Sequence, residues 1–128
     1  MEKLDRTTVS GGDQTPAYLV ERGDRMYHLD LVKWDDHIVA GNIIKCQVEV
    51  VTPTSSNRVQ YVTVRPIYDK KLQDERIFTS NYMLFLTKQE AKEYLYKRLL
   101  HTQEYLRDIL DMVSDSITDL DMDDELMQ

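Results

Sequence analysis

Cysteine, glycine, proline and phenylalanine are all scarce in this chain of 128 residues, which contains one Cys, four Gly, three Pro and two Phe. The single cysteine, Cys46, excludes an internal disulfide and a multi-cysteine metal site. No apolar run approaches the roughly 20 residues that a membrane-spanning helix needs. The first residues, Met1–Arg6, mix charges and contain no apolar segment, so we expect no secretory signal. The length of 128 residues predicts about one domain. The absences predict a location in the cytoplasm and not in a membrane.

Motifs that carry chemistry are also missing. The sequence has no phosphate-binding loop, no dinucleotide fingerprint, no nucleophile elbow and no zinc-protease motif. His28, His37 and His101 lack the i, i+4 spacing of a helical metal pair, and Cys46 has no base placed beside it by the pattern. We therefore predict no enzyme activity, no catalytic residue, no metal and no cofactor.

Basic residues are absent from the C-terminal end. The region from Asp108 to Gln128 contains eight acidic residues and no Lys or Arg, whereas the rest of the chain has 15 acidic and 16 basic residues. The net charge of −7 is therefore located at the C-terminal end, and the rest of the chain is nearly neutral. This asymmetry disfavours nucleic-acid binding and predicts a protein partner with a basic surface.

The acidic end also contains large apolar residues, which a purely solvating tail would lack. We predict that residues 114–128 form an acidic tail that either stays solvated or folds onto a partner. Asp119, Asp121 and Asp123 match the start of a calcium loop, but Asp124 stands where that loop requires glycine, so we predict no calcium site. The predicted partner-binding residues are Asp119, Asp121, Asp123, Asp124, Leu120, Met122 and the outward-facing Tyr96.

Alternating apolar residues predict four to six strands before residue 86. In the run Met26–Trp34 the pattern places Leu29 on a buried face and His28 on the more polar face. In the run Ile43–Val51 it places Cys46 and Val50 inward. Short polar loops join neighbouring runs, and Asp35-Asp36 is one predicted turn, so we expect antiparallel pairing.

One long amphipathic helix is predicted from Leu86 to Val113. Thr87 can cap its N-terminus, and Glu90 three residues later completes a capping box. The apolar stripe that should pack on the sheet comprises Ala91, Leu95, Leu99, Leu106, Ile109 and Val113, and Thr102 interrupts it.

The predicted fold class is α+β: a small bent antiparallel sheet or partly open barrel of four to six strands, followed by one long C-terminal helix packed on it. We expect a flexible lead-in over residues 1–15, a single domain over residues 16–113 and the acidic tail over residues 114–128.

Two other functions remain open. A small barrel can bind single-stranded nucleic acid when cations and aromatic rings share one face, and the last strands contain a basic cluster with Tyr61 and Tyr68 between its members. That cluster comprises Arg58, Arg65, Lys70, Lys71 and Arg76. The chain could also serve as a structural subunit of a virion or of a homo-oligomer.

The helix start, Phe85-Leu86-Thr87-Lys88-Gln89-Glu90-Ala91, resembles a pattern of small accessory proteins of tailed bacteriophages. In that group a compact sheet or barrel precedes a Phe-Leu-Thr-Lys-x-Glu-Ala helix. The resemblance implies a binder of host or phage proteins, such as a modulator or inhibitor of a host enzyme or defence protein. The acidic tail lies outside the pattern, so the resemblance implies nothing about it.

Overall fold

The computed structural model of the protein describes residues 2–3, 18–53 and 58–122. A short 3-10 turn, Asn81–Met83, precedes the last strand. The strands and the helix are β1 (Glu2–Lys3), β2 (Tyr18–Leu19), β3 (Arg25–Trp34), β4 (His37–Val51), β5 (Tyr61–Tyr68), β6 (Lys71–Leu72), β7 (Ile77–Ser80), β8 (Leu84–Phe85) and α1 (Lys88–Asp121).

The main sheet is antiparallel, with the spatial order β6-β5-β4-β3-β8 and with β7 paired to β5 beside β6. In the described part of the chain this sheet is open and does not close into a barrel. The long helix follows the last strand. The predicted α+β class, with about six strands and one C-terminal helix, is confirmed.

Two-residue turns set the register of two hairpins. Asp35 and Asp36, between β3 and β4, have φ values of 48° and 64°, and Asp69 and Lys70, between β5 and β6, have values of 51° and 64°. Positive φ at both central positions is the geometry of a type I′ turn, whose twist matches that of the flanking strands. The predicted turn at Asp35-Asp36 is confirmed.

Apolar side chains cover both faces of β3. One face contributes Met26 to the sheet core, and the other contributes Leu29 to the helix core. The sheet core is the buried cluster Tyr18, Val20, Met26, Cys46, Val48, Val62, Val64 and Leu84. The helix core consists of buried Leu29, Phe85 and Ala91, packed against the partly buried Leu31, Ile43, Met83, Tyr94 and Leu95.

Two predictions about the faces of β3 and β4 are wrong. His28 was predicted on a polar face, but it is only 5% exposed because its face of β3 also lines the interior. Val50 was predicted inward, but it is exposed. A register shift between Val48 and Val50 breaks the alternation, and Val51 packs on the sheet core instead.

A buried amide network replaces strand pairing at the end of β2. The Gln60 side chain accepts a hydrogen bond from Val20 N at 2.9 Å and donates one to Val20 O at 3.2 Å. Asn81, which is fully buried, accepts from Gln60 N at 2.9 Å and donates to Tyr18 O at 2.9 Å. Two side chains therefore fasten the β2 segment to the rest of the fold.

The predicted lead-in, residues 1–15, lies outside the described residues except for β1. The backbone of β1 pairs with β2, with Glu2 opposite Leu19 and Lys3 opposite Tyr18.

A candidate partner-binding surface on the projecting helix

The helix begins where the sequence predicts. Thr87 has extended backbone, and its Oγ1 accepts a hydrogen bond from Glu90 N at 3.1 Å, so the predicted N-cap is confirmed. The Glu90 carboxylate also has a hydrogen-bond partner outside the capping box. It accepts from the Tyr18 hydroxyl, with the two oxygens at 2.8 and 2.9 Å. This contact ties β2 to the first turn of the helix.

The first half of α1 lies tightly on the sheet. Ala91 is fully buried, and a Cβ atom added to Gly41 of β4 would lie 2.8 Å from Leu95 Cδ1. Thr102 is buried, and its hydroxyl donates to Ile38 O at 2.6 Å. The residue that interrupts the apolar stripe therefore anchors the helix to the beginning of β4.

The sheet ends beneath the middle of the helix. The His37 ring, at the start of β4, stacks on Tyr105 with ring centroids 3.8 Å apart. Ile109 is half-buried, and every side chain from residue 110 to residue 122 is exposed. We call residues 110–122 the overhang. Its 13 residues extend about 20 Å beyond the packed part at 1.5 Å per residue.

The predicted helix end at Val113 is wrong, because α1 continues to Asp121. No Gly or Pro interrupts the segment, and like charges four residues apart cost only about 0.2–0.5 kcal/mol each. The Ser116 and Thr118 hydroxyl groups donate to Met112 O and Ser114 O, both at 3.0 Å, so these polar side chains are satisfied within the helix. The repulsion among the carboxylates and their opposition to the helix dipole are each small, and they do not end the helix at Val113.

One face of the helix is an exposed apolar stripe that continues beyond the end of the sheet. We call it the seam, and its members are between 41% and 64% exposed. Their spacings along the chain are four, three, four and three residues, which keeps them in one line. The seam comprises Leu106, Leu110, Val113, Ile117 and Leu120. Leu106 and Val113 were predicted to pack on the sheet, but both are exposed. Leu106 lies in an open groove beside Ile38 and Val39, and Val113 lies beyond the end of the sheet.

The opposite face is acidic. Four carboxylates recur there at spacings of three or four residues, and two exposed methionines, Met112 and Met122, lie among them. No basic residue lies in the last turn of the helix. We call this surface the acidic face, and its carboxylates are Asp108, Asp111, Asp115 and Asp119.

The predicted partner-binding residues that the structure describes fall into four places on this helix. Asp119 and Met122 lie on the acidic face, and Leu120 belongs to the seam. Tyr96 is exposed near the packed half of the helix, and Asp121 flanks the seam. Asp123 and Asp124 lie outside the described residues.

Two arginines of the predicted basic cluster already donate hydrogen bonds to acceptors within the protein. Arg65 donates to Gln73 O at 2.6 Å and to Asp74 at 3.2 Å. Arg76 forms a bidentate ion pair with the Glu49 carboxylate, with nitrogen–oxygen distances of 2.8 and 3.0 Å. This pair lowers the pKa of Glu49. Two guanidinium groups are thus committed, which leaves Arg58, Lys70 and Lys71 of the predicted nucleic-acid site.

The histidines and the cysteine do not assemble a reactive site. Cys46 is fully buried, and burial raises the pKa of its thiol to about 12, so a thiolate is disfavoured. His37 and His101 lie with ring centroids 6.2 Å apart on either side of the helix–sheet junction. Among residues 18–53 and 58–122, no group of three or more His, Cys, Asp or Glu side chains is arranged to hold a metal ion.

The buried His28 side chain is expected to link stability to pH. Burial lowers its pKa, while the nearby Asp30 carboxylate acts in the opposite direction and is the smaller influence. Nε2 lies 3.0 Å from Thr79 Oγ1, and Nδ1 has no hydrogen-bond partner among the described residues. The unfolded chain, with a His pKa of about 6.5, therefore takes up this proton at a higher pH than the folded protein does.

We expect the free energy of unfolding to fall as the pH drops below about 6.5, by at most about 1.4 kcal/mol per pH unit from this group. Above about 6.5 both states are neutral at His28, and its contribution is constant. Urea unfolding between about pH 7.5 and pH 5.5 measures this slope. A His28→Gln variant should have a flatter profile, whereas the exposed control His101→Gln should follow the parent protein. Equal slopes in all three proteins would contradict this assignment.

The sequence patterns gave no sign of a second apolar surface, on the outward side of the sheet. Val50, Thr63 and Phe78 are neighbours across three strands, and Tyr61 lies beside them. An open groove runs along these side chains. Phe78 is 82% exposed, because the strand alternation that buries Val62 and Val64 turns this row outward.

No helix among the described residues is both long and apolar enough to cross a membrane. Comparison of the chain with protein-family models, with curated proteins and with solved structures gave no match in any of the three cases.

Proposed function

We propose that this protein is a non-enzymatic protein-binding module and that the acidic face of its projecting helix recognises a partner with a basic surface. The observation that supports this most directly is the overhang. A helix that served only to cover the sheet would end near Ile109, where the sheet ends, but α1 continues to Asp121.

The chemistry of the acidic face determines what kind of partner would fit. Its carboxylates are exposed and project from a helix that contains no Lys or Arg after Arg107. Lys and Arg side chains of a partner would gain attraction there without displacing existing ion pairs of the helix. The flexible side chains of Met112 and Met122 would add adaptable apolar contact between the charges.

The proposal also names the class of partner, which does not follow from the geometry of the helix alone. The resemblance of the helix start to phage accessory proteins suggests a host enzyme or defence protein in a bacterial cytoplasm. A row of exposed carboxylates along a helix can also imitate the phosphate row of DNA, so a DNA-binding enzyme is one target class. The nucleic-acid alternative has less support, because Arg65 and Arg76 already have acceptors within the protein.

The test removes three charges from the acidic face. We expect a triple variant, Asp111→Asn, Asp115→Asn and Asp119→Asn, to capture its partner from a bacterial lysate with about tenfold lower yield at physiological salt. Thermal stability should stay the same or rise slightly, because like charges are removed. Raising the salt concentration should weaken capture by the parent protein, because exposed charges are screened within about 8–10 Å.

A control variant with the same net charge separates recognition from general electrostatics. Asp36→Asn, Asp69→Asn and Glu75→Gln remove three exposed charges from the sheet body, and asparagine tolerates the positive φ of the first two positions. This control should capture the partner as the parent protein does. If the control and the acidic-face variant lose the same proteins to the same extent, the overhang is not the recognition surface.

A further inference from the structure

The seam has the spacing of a two-stranded coiled coil. Such coils require apolar residues that alternate at intervals of three and four, and the seam provides five consecutive members of that pattern. Leu110 and Ile117 take one of the two core positions of the heptad, and Leu106, Val113 and Leu120 take the other. A helix of the same kind is therefore the shape that fits this surface.

We propose that a second copy of this chain occupies the seam, with the two overhangs side by side and antiparallel. In this arrangement Leu110 of one copy lies against Leu120 of the other, and Val113 lies against Ile117. The pattern is self-complementary, because each contact occurs twice about a two-fold axis near Ser114. This inference goes beyond the proposed function, because it concerns the seam rather than the acidic face.

The charges beside the seam select both the occupant and its direction. One flank of the seam carries Arg107, Ser114 and Asp121 in successive heptads. The antiparallel arrangement places Arg107 opposite Asp121 of the second copy. The two helix dipoles then point in opposite directions, which is favourable for helices that lie side by side. A parallel pair would instead place Asp121 near Ser116 of the other copy, so Arg107 and Asp121 would not meet.

The rest of the overhang is compatible with this pairing. Asp111, Asp115 and Asp119 point away from the seam, so two identical acidic helices meet without bringing these carboxylates together. Because the sheet ends near Ile109, each folded body lies beyond the end of the other copy's helix. The acidic faces stay exposed on the outside of the pair, where a basic partner can still reach them.

The interface should be reversible. Four seam residues per copy contact each other in this register, which is fewer than the roughly 20–30 residues a side of a standard stable interface. We therefore expect a monomer–dimer equilibrium in the micromolar range. The mass measured by light scattering should rise from 15.1 kDa toward twice that value as the full-length chain is concentrated.

A pair of double variants tests the surface. Leu110→Gln with Ile117→Gln should weaken association by about tenfold or more, because both residues are central to the seam. Met112→Gln with Met122→Gln alters two equally large exposed residues on the opposite face and should associate as the parent protein does. All four positions are exposed in the single chain, so circular dichroism should show unchanged helix content. A mass of 15.1 kDa at every concentration, or equal association of both variants, would overturn the proposal.

Charge reversal tests the direction. Arg107→Glu and Asp121→Arg should each weaken association, and the two changes combined in one chain should restore it. Failure of the combined variant to recover would overturn the antiparallel pairing. Capture of a basic partner by the Leu110→Gln, Ile117→Gln chain reports on the acidic face alone, so the loss of one proposal is distinguishable from the loss of the other.

Discussion

An Asn81→Asp variant is expected to lose about 3–5 kcal/mol of its free energy of unfolding, out of a total of about 5–15 kcal/mol for a domain of this size. The change replaces the amide nitrogen with a carboxylate oxygen. That nitrogen donates to Tyr18 O at 2.9 Å and to Arg58 O at 3.3 Å, so aspartate would place a charged acceptor against two carbonyl oxygens. The site is fully buried, so water cannot compensate.

Gln103→Glu provides the control, because it makes the corresponding amide-to-carboxylate change at an exposed position of α1. Its free energy of unfolding should change by less than about 0.5 kcal/mol. The carboxyl group introduced at the buried position would regain a donor on protonation, so acid should reduce the difference between the two variants in urea melts. Equal stability of both variants at neutral pH would show that the buried amide network does not hold β2.

Truncation of Phe85 to alanine is the second large effect, with an expected loss of about 3–5 kcal/mol. Phe85 is completely buried where β8 meets α1. Its ring centroid lies 5.7 Å from that of Tyr94, and Leu29 and Ala91 complete its surroundings. Removing the ring would leave a cavity between the sheet and the only helix that covers it in the described part of the chain.

The chain contains one other phenylalanine, and it serves as the control. Phe78 is 82% exposed on the outward face of β7, so Phe78→Ala should change stability by less than about 0.5 kcal/mol. Urea midpoints measured at unchanged m-values compare the two directly. A loss below about 1 kcal/mol for Phe85→Ala would mean that the helix is not packed as described.

The features that the sequence predicted correctly depend on local chemistry. A hydroxyl side chain at Thr87 caps the helix whatever lies across from it, and the turn at Asp35-Asp36 needs only two residues that tolerate positive φ. Alternation also located β3 and the later part of β4. Because each of these signals spans only a few residues, the α+β order of strands followed by a helix could be predicted.

The features that were missed depend on partners far apart in the chain. The Asn81 amide donates to Tyr18 O, 63 positions away, and no local sequence pattern around either residue predicts that hydrogen bond. His28 is buried because two layers cover β3, whereas alternation alone predicts a strand with one buried face. The register shift after Val48 likewise depends on how β4 meets β5, so the exposure of Val50 could not be predicted from its own strand.

The candidate surface was predicted in composition but not in shape. The sequence shows acidic residues interspersed with large apolar ones toward the C-terminus. In the structure, residues 110–122 place these two kinds of residue on two faces of one helix. Repulsion among the carboxylates opposes continuation of the helix beyond the predicted end at Val113. The helix continues because each such repulsion is small and because the apolar spacing of the seam is regular.

The overhang gives one helix two different local stabilities. Amide groups before Ile109 are held by the sheet and should open only when the whole domain unfolds, whereas those after it are held by the helix alone and can open by fraying from Asp121. Hydrogen–deuterium exchange should therefore be slow in the first half of α1 and fast in the second. Any molecule that covers the overhang must order it and would slow that exchange, so the exchange rate at the helix end reports occupancy even when the bound molecule has not been identified.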